Sequence, residues 1–118
     1  MECFTAVSYT HLDVYKRQPH RHQYDCPPVE SRHEEIYYVR TNPANGFGIF
    51  MNYTDNVKNA KLTLVSNDDM IYVKDGYHSI VSAAGYEFYY LWVLVGAGRE
   101  LCCNSDTTFE YILEKGKQ

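Results

Sequence analysis

Glu35-Ile36-Tyr37-Tyr38-Val39-Arg40 runs into Thr41-Asn42-Pro43-Ala44-Asn45-Gly46 and on into Phe47-Gly48-Ile49-Phe50-Met51-Asn52-Tyr53-Thr54, and this stretch decides the fold class. Both flanking runs are rich in aromatic and β-branched residues, whose side chains suit a pleated, half-buried surface. Asn-Pro and Asn-Gly between them supply the restricted and positive φ values that a reversal needs. The stretch reads as strand, turn, strand. The same grammar continues outward. Asp55 to Lys58 turns the chain, Leu62 to Val65 makes a strand, and Asn67-Asp68-Asp69 leads into Met70 to Val73. Asp75-Gly76 marks a sharp turn, and strands follow at Ile80 to Ser82, Tyr86 to Val95 and Glu100 to Cys103, broken by Ala84-Gly85 and Gly96-Ala97-Gly98. No window sustains apolar residues at helical spacing. Only Thr107 to Lys115 stays open between a short helix and a frayed strand, and the Lys115-Gly116-Lys117-Gln118 ending reads as disordered. Many short strands at this spacing predict an all-β sandwich or barrel.

A chain of 118 residues, 45% of them hydrophobic, can build one small domain around one core. Such a chain buries a smaller share of its surface than a larger one, so a partner, a metal or a further segment is expected to support it. Twelve tyrosines, several in β-prone pairs such as Tyr37-Tyr38 and Tyr89-Tyr90, reinforce the β reading. The formal net charge of -4 and the scattered Lys and Arg argue against a nucleic-acid partner, which needs basic residues gathered on one face. The longest apolar run, Phe88 to Val95, is strand-length, short of the roughly 18 residues that span a bilayer, so no membrane is expected. Cys3, Cys26 and the adjacent Cys102 and Cys103 have no CxxC or zinc-finger spacing and read as free thiols of a cytoplasmic protein.

Residues 1–18 show neither an apolar h-region behind a basic start nor a small-residue cleavage site. Val7 to Gln18 resembles a translated cloning or adapter sequence, so residues 1–18 are expected to be non-native and His11 receives no role. The domain is expected to run from Pro19 to Gln118.

His20 and His22 flank one residue, which on a strand points both imidazoles to one face with Cα atoms about 6 to 7 Å apart. One cation can bind both. Zinc accepts imidazole nitrogens, as do manganese, iron, cobalt and nickel, so the pair does not choose the metal. Alone, such a pair is more often a coincidence of surface or core. His33-Glu34-Glu35 follows, then Gly76-Tyr77-His78 after an acidic turn. In a jelly roll, HxH on one strand, a carboxylate at the start of the next and a histidine on a later strand converge inside the barrel. Strand parity leaves Glu34 and Glu35 as alternatives, since neighbours face opposite ways.

Pro19-His20-Arg21-His22, Glu34-Glu35-Ile36-Tyr37-Tyr38, Asn42 to Gly48, Tyr53-Thr54-Asp55, Gly76-Tyr77-His78, Ala84-Gly85-Tyr86 and Tyr89-Tyr90-Leu91 occur in this order. This series resembles the 5-deoxy-glucuronate isomerase family of inositol catabolism. The resemblance implies a cupin-type jelly-roll barrel, incomplete at its N-terminus, that forms the metal-binding second half of a protein with two cupin domains. It implies His20, His22, Glu35 and His78 as ligands of a divalent cation, zinc or manganese first. The implied reaction is aldose-ketose isomerisation of 5-deoxy-D-glucuronate to 5-dehydro-2-deoxy-D-gluconate, a proton moving between C1 and C2. The partners implied are the sugar acid and the N-terminal cupin domain, with a homo-oligomer left open.

Lys74 stands where the family pattern has a proline, which predicts a less rigid loop before His78. His33 replaces an aliphatic residue and is assigned no role. Without strands before His20, the barrel is expected to expose an open edge. Candidates for the proton-transferring base are Glu34, Glu87 and pocket-facing tyrosines, and candidates for the substrate carboxylate are Arg40 and Lys74. For each, a solvated or packed side chain is the competing reading. The rival functions are a related uronate isomerase, a metal-dependent dioxygenase, a sugar-binding cupin without catalysis and an inactive fragment.

Overall fold

The computed structural model describes residues 3–9, 19–21, 33–97 and 104–109, with the backbone alone for 3–9 and 104–105. The described residues form nine strands: β1 (Cys3–Tyr9), β2 (His20–Arg21), β3 (His33–Asn42), β4 (Phe47–Tyr53), β5 (Lys61–Ser66), β6 (Met70–Val73), β7 (Tyr77–Ser82), β8 (Glu87–Gly96) and β9 (Asn104–Ser105). They form two antiparallel sheets, β1-β8-β3-β6 and β5-β4-β7-β2-β9. The fold is all-β and cupin-like, and the described residues contain no α-helix. No helix among them is long and apolar enough to cross a membrane.

Alternation of inward and outward side chains builds the core. On β3 the odd-numbered residues from His33 to Thr41 are buried, and on β8 Phe88, Tyr90, Trp92 and Leu94 are. Tyr37 lies opposite Trp92 and Glu35 opposite Leu94, so the inward rows of the two longest strands are in register. From the other sheet Phe50, Val65 and Ile80 meet them. Each such apolar side chain contributes about 1.5–3 kcal/mol on full burial. The outer face of the second sheet carries a cross-strand row of Leu64, Ile49 and Val81, all exposed.

The strand-turn-strand reading of residues 35–54 holds, but the turn works differently. Positive φ occurs at Asp68, Gly76 and Gly85 and not at Asn45 or Gly46. The turn is closed by Gly46 N–H to the Pro43 carbonyl (3.1 Å) and by the Thr41 hydroxyl to the same carbonyl (3.0 Å). Gly46 is needed for space: a Cβ there would meet Tyr86 at 2.8 Å and Thr41 at 2.9 Å.

The edge expected to be open is occupied. Cys3–Tyr9 pairs with β8 from Cys3–Gly96 to Tyr9–Tyr90. Main-chain ladders need only extended backbone, so a segment unlike the family pattern can still serve there. The expected strand Glu100 to Cys103 lies outside the described residues. Of the tail, Thr107–Phe109 forms a 3-10 turn, whose Phe109 N–H bonds the Asp106 carbonyl (3.0 Å).

Candidate metal centre

Three strands bring the centre together. His20 on β2 and His78 on β7 are a cross-strand pair of the five-stranded sheet, with ring centroids 4.6 Å apart. Glu35 on β3 faces them from the opposite sheet. All three side chains are buried, at 1% exposure or less. One donor atom from each lies within 4.8 Å of the others, and His78 Nε2 stands 2.7 Å from Glu35 Oε2. Donors bound to one zinc ion at about 2.0–2.2 Å are at most about 4.4 Å apart. Shifts of a few tenths of an ångström therefore suffice to seat a cation, and two imidazoles with a carboxylate suit a borderline divalent ion.

The surroundings aim these groups. His78 Nδ1 faces the Gly76 carbonyl oxygen at 3.4 Å, which leaves Nε2 turned to the centre. Phe50 stacks on the His78 ring (6.1 Å, 27°), and Tyr37 meets it edge-on at 6.0 Å. Tyr37 in turn packs edge-on against Tyr90 at 5.3 Å. These rings wall the centre with apolar surface.

The turn before His78 lacks its proline but is held otherwise. Asn52 lies opposite His78 on β4, and its amide donates to the Asp75 and Tyr77 carbonyls at 3.0 and 3.1 Å. Gly76 adopts φ +87°, and a Cβ there would sit 2.7 Å from the Tyr53 carbonyl oxygen. Sequence reasoning passed over Asn52; the only signal was its place in the landmark strand before Tyr53.

On the outer side of the same strands, Tyr53 stacks on Tyr77 (5.5 Å, 29°) and donates its hydroxyl to Asp106 Oδ2 at 2.5 Å. Burial, then the Asp106 carboxylate, pushes the Tyr53 phenol above its ordinary range. Partial burial pushes Asp106 up, but hydrogen bonds from Tyr53 and Thr108 and the nearby Arg21 charge outweigh it and hold the carboxyl below the usual carboxylate range.

The expected site residues divide clearly. His20, Glu35 and His78 come together; His22 lies outside the described residues. Of the two carboxylates left open by parity, Glu35 faces inward. Glu34 faces out, away from the three buried donors, and accepts from the exposed Tyr72 hydroxyl at 2.7 Å. Glu87 is exposed and accepts from Asn42 Nδ2, likewise on the outer face. Arg40 is exposed, with Nε 3.3 Å from Asp68, and Lys74 is exposed as well, so neither faces the three buried donors. For Glu34, Arg40 and Glu87 strand parity turns the side chain outward, and Lys74 lies in the link between β6 and β7. Tyr37 and Tyr90 are the buried tyrosines on the inner faces of β3 and β8. His33 is buried on the same face as Glu35, two residues away, where an aliphatic side chain was expected to be typical.

With this arrangement in view, a family model described as the KduI/IolB family matches residues 18–112. The chain belongs to this family. Curated relatives include the 5-deoxy-glucuronate isomerase of Geobacillus kaustophilus, 38% identical over 96 residues, which make up 81% of this chain and 35% of that protein. The namesake from Lacticaseibacillus casei is 42% identical over 81 residues, 69% of this chain and 30% of the relative. In three dimensions the chain is similar to a crystal structure of an IolB-like protein from Salmonella typhimurium, with TM-score 0.73 and 30% identity over 95% of this chain and 41% of that one. The chain thus spans about a third of the length of the curated KduI/IolB relatives it matches.

Proposed function

We propose that His20, Glu35 and His78, with His22 as a fourth donor, hold a divalent cation, zinc or manganese first. On this reading the chain is the metal-binding cupin part of an aldose-ketose isomerase acting on 5-deoxy-D-glucuronate. The observation that carries it is the convergence of three buried donors from two sheets at the positions the family resemblance assigns. The relatives' shared name, 5-deoxy-glucuronate isomerase, supports the reaction class. When bound, the cation supplies fixed positive charge against the negative charge that develops on a sugar's carbonyl oxygen during enolisation. Glu35 offsets the charge of the ion, and His78 is oriented through Gly76. Phe50, Tyr37 and Tyr90 exclude water from one side, which strengthens every electrostatic interaction within. Among the described residues, Tyr37 and Tyr90 are buried phenols on the inner faces of β3 and β8, and they are the candidates here for moving a proton. The partners on this reading are a small sugar acid and a second cupin domain of the same protein, in the cytoplasm.

Metal analysis of the purified chain beside His20→Ala/His22→Ala tests the centre. The parent is expected to retain about one ion per chain and the variant none. Equal metal content would reject the site. Incubation with 5-deoxy-D-glucuronate in deuterated water, followed by NMR, tests the reaction: deuterium entry next to the carbonyl is expected for the metal-loaded parent alone. Saturable sugar binding without exchange would favour a non-catalytic sugar-binding cupin.

A further inference from the structure

Among the described residues, β2 (His20–Arg21) joins β7 through the pair His20–His78 and β9 through two pairs. A metal ligand must be held within about 0.5 Å to bind well. Contacts on the outer face of the sheet add to what the ladder provides. Arg21 and Tyr77 are each one residue from a ligand and face the opposite way. The Arg21 guanidinium lies over the Tyr77 ring, 4.6 Å from its centroid. Tyr77 stacks on Tyr53, its cross-strand partner, and Tyr53 donates to Asp106. Asp106 returns the chain of contacts to its start, because its backbone N–H bonds the carbonyl of Pro19 at 2.9 Å, immediately before His20. Thr108 N–H holds the other Asp106 oxygen at 2.9 Å.

We infer that Pro19, Arg21, Tyr77, Tyr53 and Asp106 form a closed brace on the outer face of the sheet that positions the His20 and His78 imidazoles for the cation. None of these residues faces the centre, so they act as positioning residues through the backbone of β2 and β7. Tyr53 is only 4% exposed although it lies on the outer face, where Asp106 accepts its hydroxyl and Tyr77 stacks on its ring. The brace therefore also ties the segment at residues 104–109 to the metal centre.

The inference rests on the proposed metal reading, and cobalt(II) as a probe separates the two. Cobalt affinity by chelator competition and the visible d–d spectrum are measured for the parent chain, Tyr77→Leu, Tyr77→Phe, Asp106→Ala and Val65→Ala. Tyr77→Leu removes the ring that Arg21 and Tyr53 need, and Asp106→Ala opens the circuit at another point. Both are expected to weaken cobalt binding about 10- to 100-fold, the range typical of groups that orient ligands, and to change the spectrum. Tyr77→Phe keeps the ring and should restore parent behaviour. Val65→Ala lowers stability in the core of β5 and should leave affinity and spectrum unchanged. Parent-like affinity and spectra for Tyr77→Leu and Asp106→Ala would overturn the brace while leaving the metal centre intact. Affinity lost in Val65→Ala as much as in the brace variants would overturn it too, since binding would then follow general stability. If Tyr77→Leu does not fold, Asp106→Ala decides. A parent chain that takes up no cobalt would overturn the metal reading and the brace together.

Discussion

His78 Nε2 and Glu35 Oε2 stand 2.7 Å apart inside the barrel, contributed by opposite sheets. Metal donors must be deprotonated, so a cation seated between these atoms competes with protons for them, and metal retention is expected to weaken as the pH is lowered. Metal content after dialysis across a pH series measures it. Retention that does not change with pH would contradict these atoms as donors.

Gly76→Ala tests the turn that carries His78. The substitution places a Cβ 2.7 Å from the Tyr53 carbonyl and forces a side chain onto φ +87°. The expected loss is about 1–3 kcal/mol in urea unfolding, accompanied by weaker metal retention. Gly85 has the same φ with nothing within 4 Å of its Cβ position, so Gly85→Ala should cost less. Equal losses at the two positions would show that the close approach to Tyr53 is irrelevant.

Phe50→Ala should act on both the core and the centre. Phe50 is buried, belongs to the main cluster and stacks on His78. A loss of about 3–5 kcal/mol is expected from the cavity. The His78 ring also loses a wall, so metal retention should fall under conditions where the variant is still folded. A folded variant with full metal content would show that the stacking does not orient the ring.

Much of this was legible in the residues, for local reasons. The inward rows of β3 and β8 follow a period of two, and Asp75-Gly76 announces the tight turn before His78, which the positive φ at Gly76 confirms. What parity alone left open was which face is which. Glu34 and Glu35 are equivalent until the opposite sheet is in place, and only the position of His20 and His78 makes Glu35 the inner one. Parity turns Glu34 and Arg40 outward, but the partners they meet there, Tyr72 and Asp68, lie 38 and 28 residues away, and no local spacing encodes such pairings. Asp106 on Tyr53 is the same kind of contact, 53 residues apart. Asn52 shows the converse: the missing proline suggested a loose loop, yet two side-chain hydrogen bonds from a neighbouring strand do the holding.

Glu34→Gln and Arg40→Ala follow from that division. Both side chains lie on the outer surface in solvent-exposed contacts, so each substitution should leave the urea midpoint and the metal content close to the parent level. Glu35→Gln, one residue from Glu34, should abolish metal retention. Loss of metal in Glu34→Gln would mean that β3 presents its other face to the centre.

The acid limb of stability should carry the signature of Asp106. In the folded chain its carboxyl lies below the ordinary value of 3.8: partial burial raises it, but the Tyr53 hydroxyl, the Thr108 N–H and the Arg21 charge outweigh that. A folded value below the unfolded one means that the folded state binds this proton more weakly. Its contribution is complete above about pH 4 and is lost as the pH falls through the depressed folded value. Asp106→Asn has no proton to take up in this range. Compared in chelator, so that protonation of the imidazoles affects both proteins alike, the parent should be the more stable near pH 5, and its advantage should shrink steadily as the pH is lowered towards about 3. Urea midpoints at each pH give the difference directly. Two curves that stay parallel over this window would mean that the Asp106 carboxylate does not anchor Tyr53, and that the contact between the tail and the outer face of the sheet is held by something other than this charge.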